Sequence, residues 1–255
     1  MSADDAMAPF LPPELERDIF ELFVASSGTK SIPPLLCVAR RVKLWLEPFL
    51  YQIAFVGLPH SKLEEGGNAL LPAEALLAAI QHGHLPPSFF DAHVHHVLVN
   101  SRGYPIHSRD TILAALTGAT DLFLLNILAA PSLLANSNLG SLFGAPTDLA
   151  SVVGSVDFSA PMFAQLTHLA VFDDLTECWA ARGCAALRVF VVLVDPDFEP
   201  VALRTALERD ERAVMMEDHK TYEGEKDWYR GARGLDDYWE RAEGLLSKRR
   251  LGGRR

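Results

Sequence analysis

The sequence predicts an α+β protein: a short three-helix module, then a longer stack of strand-and-return units closed by a helix. Three observations lead there. Apolar stripes that restart after prolines fill residues 10 to 51, short apolar runs recur at similar intervals between residues 96 and 216, and an amphipathic charged segment follows them. With 255 residues, 49% of them hydrophobic, the chain can bury a sizeable core.

The first helix is expected to open at Leu11-Pro12-Pro13-Glu14. Proline presets φ and gives up an N–H that a helix start leaves unpaired anyway, and Glu14 suits the positive helix end. Leu15, Ile19 and Leu22 then recur at i, i+4 and i+7, while Phe20 and Phe23 widen the stripe beyond what one short helix needs. The pattern breaks at Ser26-Ser27-Gly28-Thr29 and restarts after Ile32-Pro33-Pro34. Leu35, Leu36, Val38 and Ala39 are expected in a second helix that holds Cys37 in its core; Val42, Trp45, Leu46, Phe49 and Leu50 belong to a third, interrupted by Pro48. Three short helices in so few residues bury their own faces poorly, so a partner or the following domain must cover the excess.

Ile53 to Val56 reads as a short strand. The Gly- and Glu-rich stretch after it is the best linker, which divides the chain into a helical module at 9–56, a linker at 57–71 and a strand-bearing domain at 72–250. Pro72 to Gly83 forms a helix with Leu76, Leu77 and Ile80 inward. Strands are expected at His96–Val99, Leu122–Leu125, Leu169–Phe172, Phe190–Leu193 and Val214–Met216, with anchors 25, 47, 21 and 24 residues apart and a weak unit at Leu142-Phe143 inside the longest gap. A period in the low to mid twenties is that of leucine-rich repeats, here degenerate, each unit a strand plus a return that cannot bury its face alone. Leu166-x-x-Leu169 and Leu187-x-x-Phe190 share one lead-in. An ordinary mostly parallel α/β sheet is the alternative. Asp227 to Gly234 reads as an aromatic loop. Asp236 then caps a helix with Trp239, Ala242 and Leu246 on one face, covering the last repeat; Trp228 and Tyr229 are alternatively partner anchors.

The net charge of −10 is concentrated in residues 61–200, where 5 Lys and Arg stand against 14 Asp and Glu, which argues against nucleic acid there. Lys248-Arg249-Arg250 suits a solvated helix end. The start lacks an apolar leader core, and the most apolar run, Leu122 to Pro131, is too short for a membrane span. Three cysteines with no CxxC pair fit a reducing compartment, cytosol or nucleus.

Chemistry-bearing patterns are sparse. His93 and His95 would share one face of a strand and offer two metal ligands, with Asp173 or Asp174 as a third, the basis of an alternative reading as a small metal-dependent hydrolase. No H-E-x-x-H, G-x-S-x-G, P-loop or G-x-G-x-x-G is present, so neither a cofactor nor a catalytic constellation is expected.

Leu11-Pro12-x-Glu14-Leu15, Ile19-Phe20 and Val38-x-x-Arg41 together give the N-terminal segment a family likeness: it resembles the F-box, in the divergent form of many fungal F-box-like proteins, over about a sixth of the chain. In that class an F-box-like start is combined with leucine-rich-type units. The resemblance implies docking on the adaptor subunit of a cullin-based (SCF) ubiquitin ligase, while the repeat region binds a substrate protein and no covalent step occurs on this chain. Leu11, Pro12, Leu15, Ile19, Phe20 and Val38, with Trp45, would then form or support the adaptor-facing surface. An interaction module without ligase docking is the nearest alternative.

Overall fold

The computed structural model describes residues 11–57, 73–83, 85–100, 105–125, 139–144, 163–172, 184–194, 205, 207, 209–217 and 221–252. Among them, helices α1 (Pro13–Ser27), α2 (Ile32–Leu35) and α3 (Arg40–Tyr51) form the N-terminal module. Strand β1 (Ile53–Gly57) follows, then α4 (Ala73–Gln81), α5 (Pro87–His93), β2 (His96–Asn100), α6 (Ile106–Ala115) and β3 (Asp121–Leu125). Strands β4 (Ser141–Gly144), β5 (His168–Phe172), β6 (Val189–Val194) and β7 (Ala213–Glu217) precede the helices α7 (Thr221–Gly231) and α8 (Tyr238–Gly252). This is a mixed helix-and-strand protein built on one seven-stranded sheet, parallel throughout, with strands in sequence order.

The register explains the spacing seen in the sequence. Ala54, Val97, Leu122, Leu142, Leu169, Phe190 and Ala213 are successive partners across the sheet, and from Val97 onward they lie 25, 20, 27, 21 and 23 residues apart. Leu142-Phe143 is thus a full strand, and the anchor in β7 is Ala213, one residue before Val214. One turn recurs before successive strands. Thr120 and Asp121 N–H both donate to His95 O, Gly140 and Ser141 to Thr120 O, Thr167 and His168 to Gly140 O, and Arg188 and Val189 to Thr167 O. The apolar pair three residues apart also recurs, as Val94/Val97, Ala119/Leu122, Leu139/Leu142, Leu166/Leu169 and Leu187/Phe190, all buried. Each unit therefore brings its own buried lead-in and hands its turn carbonyl to the next, which satisfies the backbone groups between units.

Both sheet faces are covered. On one face Val56, Val99, Leu124, Val171 and Val192 pack with Leu76 of α4, Phe90 of α5 and Ile112 of α6. On the other, Phe55, Leu98, Phe123, Val191 and Val214 pack with Trp228 and Tyr229 of α7 and Tyr238, Ala242 and Leu246 of α8. Strands apolar at consecutive positions, such as Leu122-Phe123-Leu124-Leu125, require cover on both sides.

Several expectations are corrected here. Strand β1 pairs with β2, so the chain enters the sheet one residue after α3 ends, ahead of the stretch at 57–71. Asp227 to Gly231 is the end of α7 and not a loop, with Trp228 and Tyr229 buried in the core and therefore not partner anchors. The cap of α8 is Asp237, whose carboxylate accepts the Glu240 N–H at 3.0 Å, and the inward face is Tyr238, Ala242 and Leu246 with Trp239 half-buried. The C-terminal helices lie across a sheet face as well as beside the last strands: Trp228 reaches Phe123 in β3 and His96 in β2, and Arg249 donates to Ala213 O at 3.0 Å on edge strand β7.

Candidate functional site

Helix α1 begins as the prolines dictate. Pro13 is its first residue, Glu16 N–H closes the first turn on Pro12 O at 3.0 Å, and Glu14 and Glu16 sit in the positive first turn. Gly28 ends it at φ 81, a left-handed conformation that costs glycine little, with its N–H on Val24 O at 2.9 Å. Helix α2 is shorter than expected. It stops at Leu35, so Val38 lies in the connection and the extended backbone of Ala39 (φ −159°) precedes α3. Cys37, expected inside, is exposed in that connection. Pro48 does not interrupt α3, which continues to Tyr51. It lies in the last turn, and the Leu44 carbonyl that loses its donor belongs to an exposed residue that water can serve.

The module has a core of its own. Val24, Ile32, Val42 and Leu46 are buried together, and Phe20, Leu35, Trp45, Phe49 and Leu50 pack around them. Arg41 of α3 donates both Nε (2.8 Å) and Nη2 (2.9 Å) to the Glu16 carboxylate of α1, a fork that fixes the two helices side by side. The module is also joined to the sheet without slack. Only Gln52 separates α3 from β1, Gln52 O accepts the N–H groups of His95 and His96, and the Tyr51 ring packs edge-on against Phe89 at 5.1 Å.

With that core complete, nothing among the described residues packs on the opposite side of α1. Leu11, Leu15, Ile19, Leu22 and Phe23 are 45 to 72% exposed, and Val38 is 61% exposed. Pro12 is also exposed, whereas Phe20 and Trp45 are half-buried against the module's core and support the face from behind. The stripe Leu15, Ile19, Leu22 thus faces outward, and Phe20 with Val24 faces inward. Seven large apolar side chains, Leu44 of α3 at 64% among them, are exposed on this small module, and the run along α1 is the kind of surface that marks an interaction site.

The histidine cluster takes a different form from the one expected. Helix α5 ends at His93 and β2 begins at His96, so His93 and His95 do not share a strand face. His93 packs its ring on Phe89 at 4.5 Å, and burial lowers the His95 pKa, helped by the charges of His96 and His93. Asp173 and Asp174 lie outside the described residues. Among the described residues no three His, Cys, Asp or Glu side chains are placed to hold a metal ion.

The structure instead brings together residues that sequence spacing did not single out. His96, Asp121, Ser141 and His168 occupy one register position on four adjacent strands. Asp121 accepts from Ser141 Oγ at 2.5 Å and from His96 Nδ1 at 3.1 Å, while His168 pairs through Nε2 with Glu243 of α8 at 3.1 Å. A serine nucleophile needs the imidazole between its hydroxyl and the carboxylate. Here the carboxylate stands in the middle, so Ser141 is not activated and the row pairs strands beneath α7 and α8. Cys184 is buried, which pushes its thiol up to about 11 and leaves it without thiolate at neutral pH. Among the described residues no helix is long and apolar enough to cross a membrane. Comparison with protein-family models, with curated proteins and with solved structures returned no match for this chain.

Proposed function

We propose that this chain is a non-catalytic recruiting subunit that docks through its N-terminal helices on the adaptor of a cullin-based ubiquitin ligase and holds a second protein for modification. The observation that carries the reading is the outward stripe of Leu11, Leu15, Ile19, Leu22, Phe23 and Val38 on a module whose own core is already closed. These positions include the residues that carry the F-box likeness, and the Arg41–Glu16 fork holds the stripe-bearing helix against α3. In this reading the repeat-like body corresponds to a degenerate leucine-rich stack. Its action is proximity: a substrate lysine kept near a charged enzyme reacts at a raised local concentration.

In this reading a substrate protein would meet the outer sides of the helices or the ends of the strands, because among the described residues the face that an open strand stack would offer is occupied by Trp228, Tyr229, Tyr238 and Leu246. An interaction protein that never meets a ligase is the second reading, and the same exposed stripe supports it. Purified adaptor subunit, titrated with the full chain, separates the two. Saturable binding that Leu11→Ala with Pro12→Ala abolishes, in a chain of unchanged melting temperature, supports docking; absence of binding favours the second.

A further inference from the structure

A cleft of about 450 Å³ opens where the N-terminal module meets the body, between the end of α1, the end of α3, the first residues of β1 and β2, and the turn after α7. Its size lies within the range of small-molecule sites, about 300 to 1,000 Å³, and junctions between structural units are where such sites concentrate. Val24, Phe49, Leu50, Ile53 and the Tyr229 ring supply apolar wall. Burial pushes the Tyr229 phenol up to about 12, so at neutral pH this wall carries no charge. Among the described residues that line the cleft, Arg233 is the one lysine or arginine, and it already has an interaction partner. Carboxylates abut the lining from behind: Asp237 stands so close to Gly231 that a Cβ there would lie 1.8 Å from Oδ2, and Asp121 holds His96. The described lining therefore offers a ligand no free ion.

It does offer an oriented acceptor. The Asp121 carboxylate can only accept, so its 3.1 Å contact assigns the proton to His96 Nδ1 and leaves a lone pair on Nε2. The two nitrogens lie on opposite sides of the ring. Nδ1 points to β3, so Nε2 points back toward β1, where Ile53 is the register partner of His96 and lines the same cleft. Among the described residues no group donates to Nε2, and Trp228 packs edge-on against the ring, with 6.4 Å between centroids. We propose that this cleft binds a small neutral amphipath that donates a hydrogen bond, a phenol or an alcohol, with its O–H on His96 Nε2 and its apolar body between Phe49, Leu50, Ile53 and Tyr229. Burying a hydroxyl is costly unless it is bonded, and the fixed imidazole supplies that bond. A carboxylate would instead meet the Nε2 lone pair with Asp121 and Asp237 close behind, and an ammonium would stand beside the Arg233 guanidinium. The ligand would touch the module and the turn after α7 at once and so brace the joint between them.

The test uses the full chain, with 4-propylphenol as the probe and 4-propylanisole, which cannot donate, as the control, read by calorimetry and by the ring nitrogen resonances of His96. The phenol should bind saturably, shift Nε2 while Nδ1 keeps its proton, and raise the melting temperature; the ether should bind about three- to tenfold more weakly. His96→Phe keeps a ring but removes the acceptor, and should bind phenol and ether alike. Ala25→Trp, on the exposed rim, should block the phenol without lowering the melting temperature and so reports independently should His96→Phe fold poorly. No saturable binding of the phenol into the millimolar range overturns the proposal. So do equal affinity of wild type for phenol and ether, tighter binding of 4-propylbenzoate than of the phenol, or binding that leaves His96 unmoved and survives Ala25→Trp.

Discussion

The helical module and the sheet body spend apolar side chains in opposite ways. In the body, alternating strand positions are buried on both faces, and even Trp228 and Tyr238 are enclosed. In the module, four buried residues close a small core, and a comparable number of large apolar residues on α1 stay in water. Both regions are apolar in sequence. The difference shows that hydrophobic content alone does not say whether a side chain serves its own fold or another protein; what separates the two is whether the chain supplies a second layer. The body supplies α4 to α8, whereas nothing among the described residues covers the outer side of α1.

That contrast makes stability predictions of unequal size. Trp228→Ala should cost the most, about 3 to 5 kcal/mol, because it empties the space between α7, β2 and β3; a urea titration followed by far-ultraviolet circular dichroism measures it. Leu46→Ala in the module's core should cost about 2 to 5 kcal/mol by the same mechanism. Equal urea midpoints for Leu46→Ala and wild type would mean that the module contributes no cooperative core.

The body should also carry a pH signature. Burial raises Glu225 of α7 from 4.5 to about 7. For an acid raised in the folded state, the unfolded chain ionises first as pH rises, so stability is lost progressively from about pH 4.5 to about 7 and stays lower above that. The loss is on the order of 2 to 3 kcal/mol. Urea midpoints taken across that interval should fall for wild type and flatten in Glu225→Gln. A wild-type profile already flat there contradicts the buried setting.

Cysteine chemistry gives a smaller contrast of the same kind. At pH 8, iodoacetamide should label exposed Cys37 of the module and leave buried Cys184 of the body unmodified until the fold is opened, as peptide mapping by mass spectrometry would show. The smallest expected effect on stability is that of Ile19→Ala, within about 0.5 kcal/mol, because the side chain is 57% exposed. The pair Leu46 and Ile19, both aliphatic and both in module helices, thus isolates the contrast between an enclosed residue and one left for a partner.

Much of this architecture was legible because it rests on local signals. Pro13 and Gly28 bracket α1, and the lead-in Leu166-x-x-Leu169 marked the repeated turn that the backbone then displays across four junctions. The weak unit at Leu142 could be located from the gap alone. What escaped depended on contacts distant in sequence. Trp228 and Tyr229 looked like loop aromatics because the glycines after them masked the helix they end, and only the sheet face opposite explains their burial. His93 and His95 offered a shared face only if the strand reached back to them, but it begins at His96, where it was expected, and His93 ends a helix; the row His96, Asp121, Ser141 and His168 could be assembled only from the register. The exposed stripe was anticipated in kind but not in sides, since Phe20 turned inward and Ile19 outward.

The central claim is that the outward stripe of α1 is completed by another protein. Titrating purified cullin-ligase adaptor subunit into the full chain, wild type against Leu15→Glu with Ile19→Glu, tests it most directly. The account predicts saturable binding by wild type and loss of binding in the double variant, whose melting temperature stays unchanged because both positions are already in water. Wild-type and double-variant chains that bind the adaptor alike, or that both fail to bind it, would contradict the docking role.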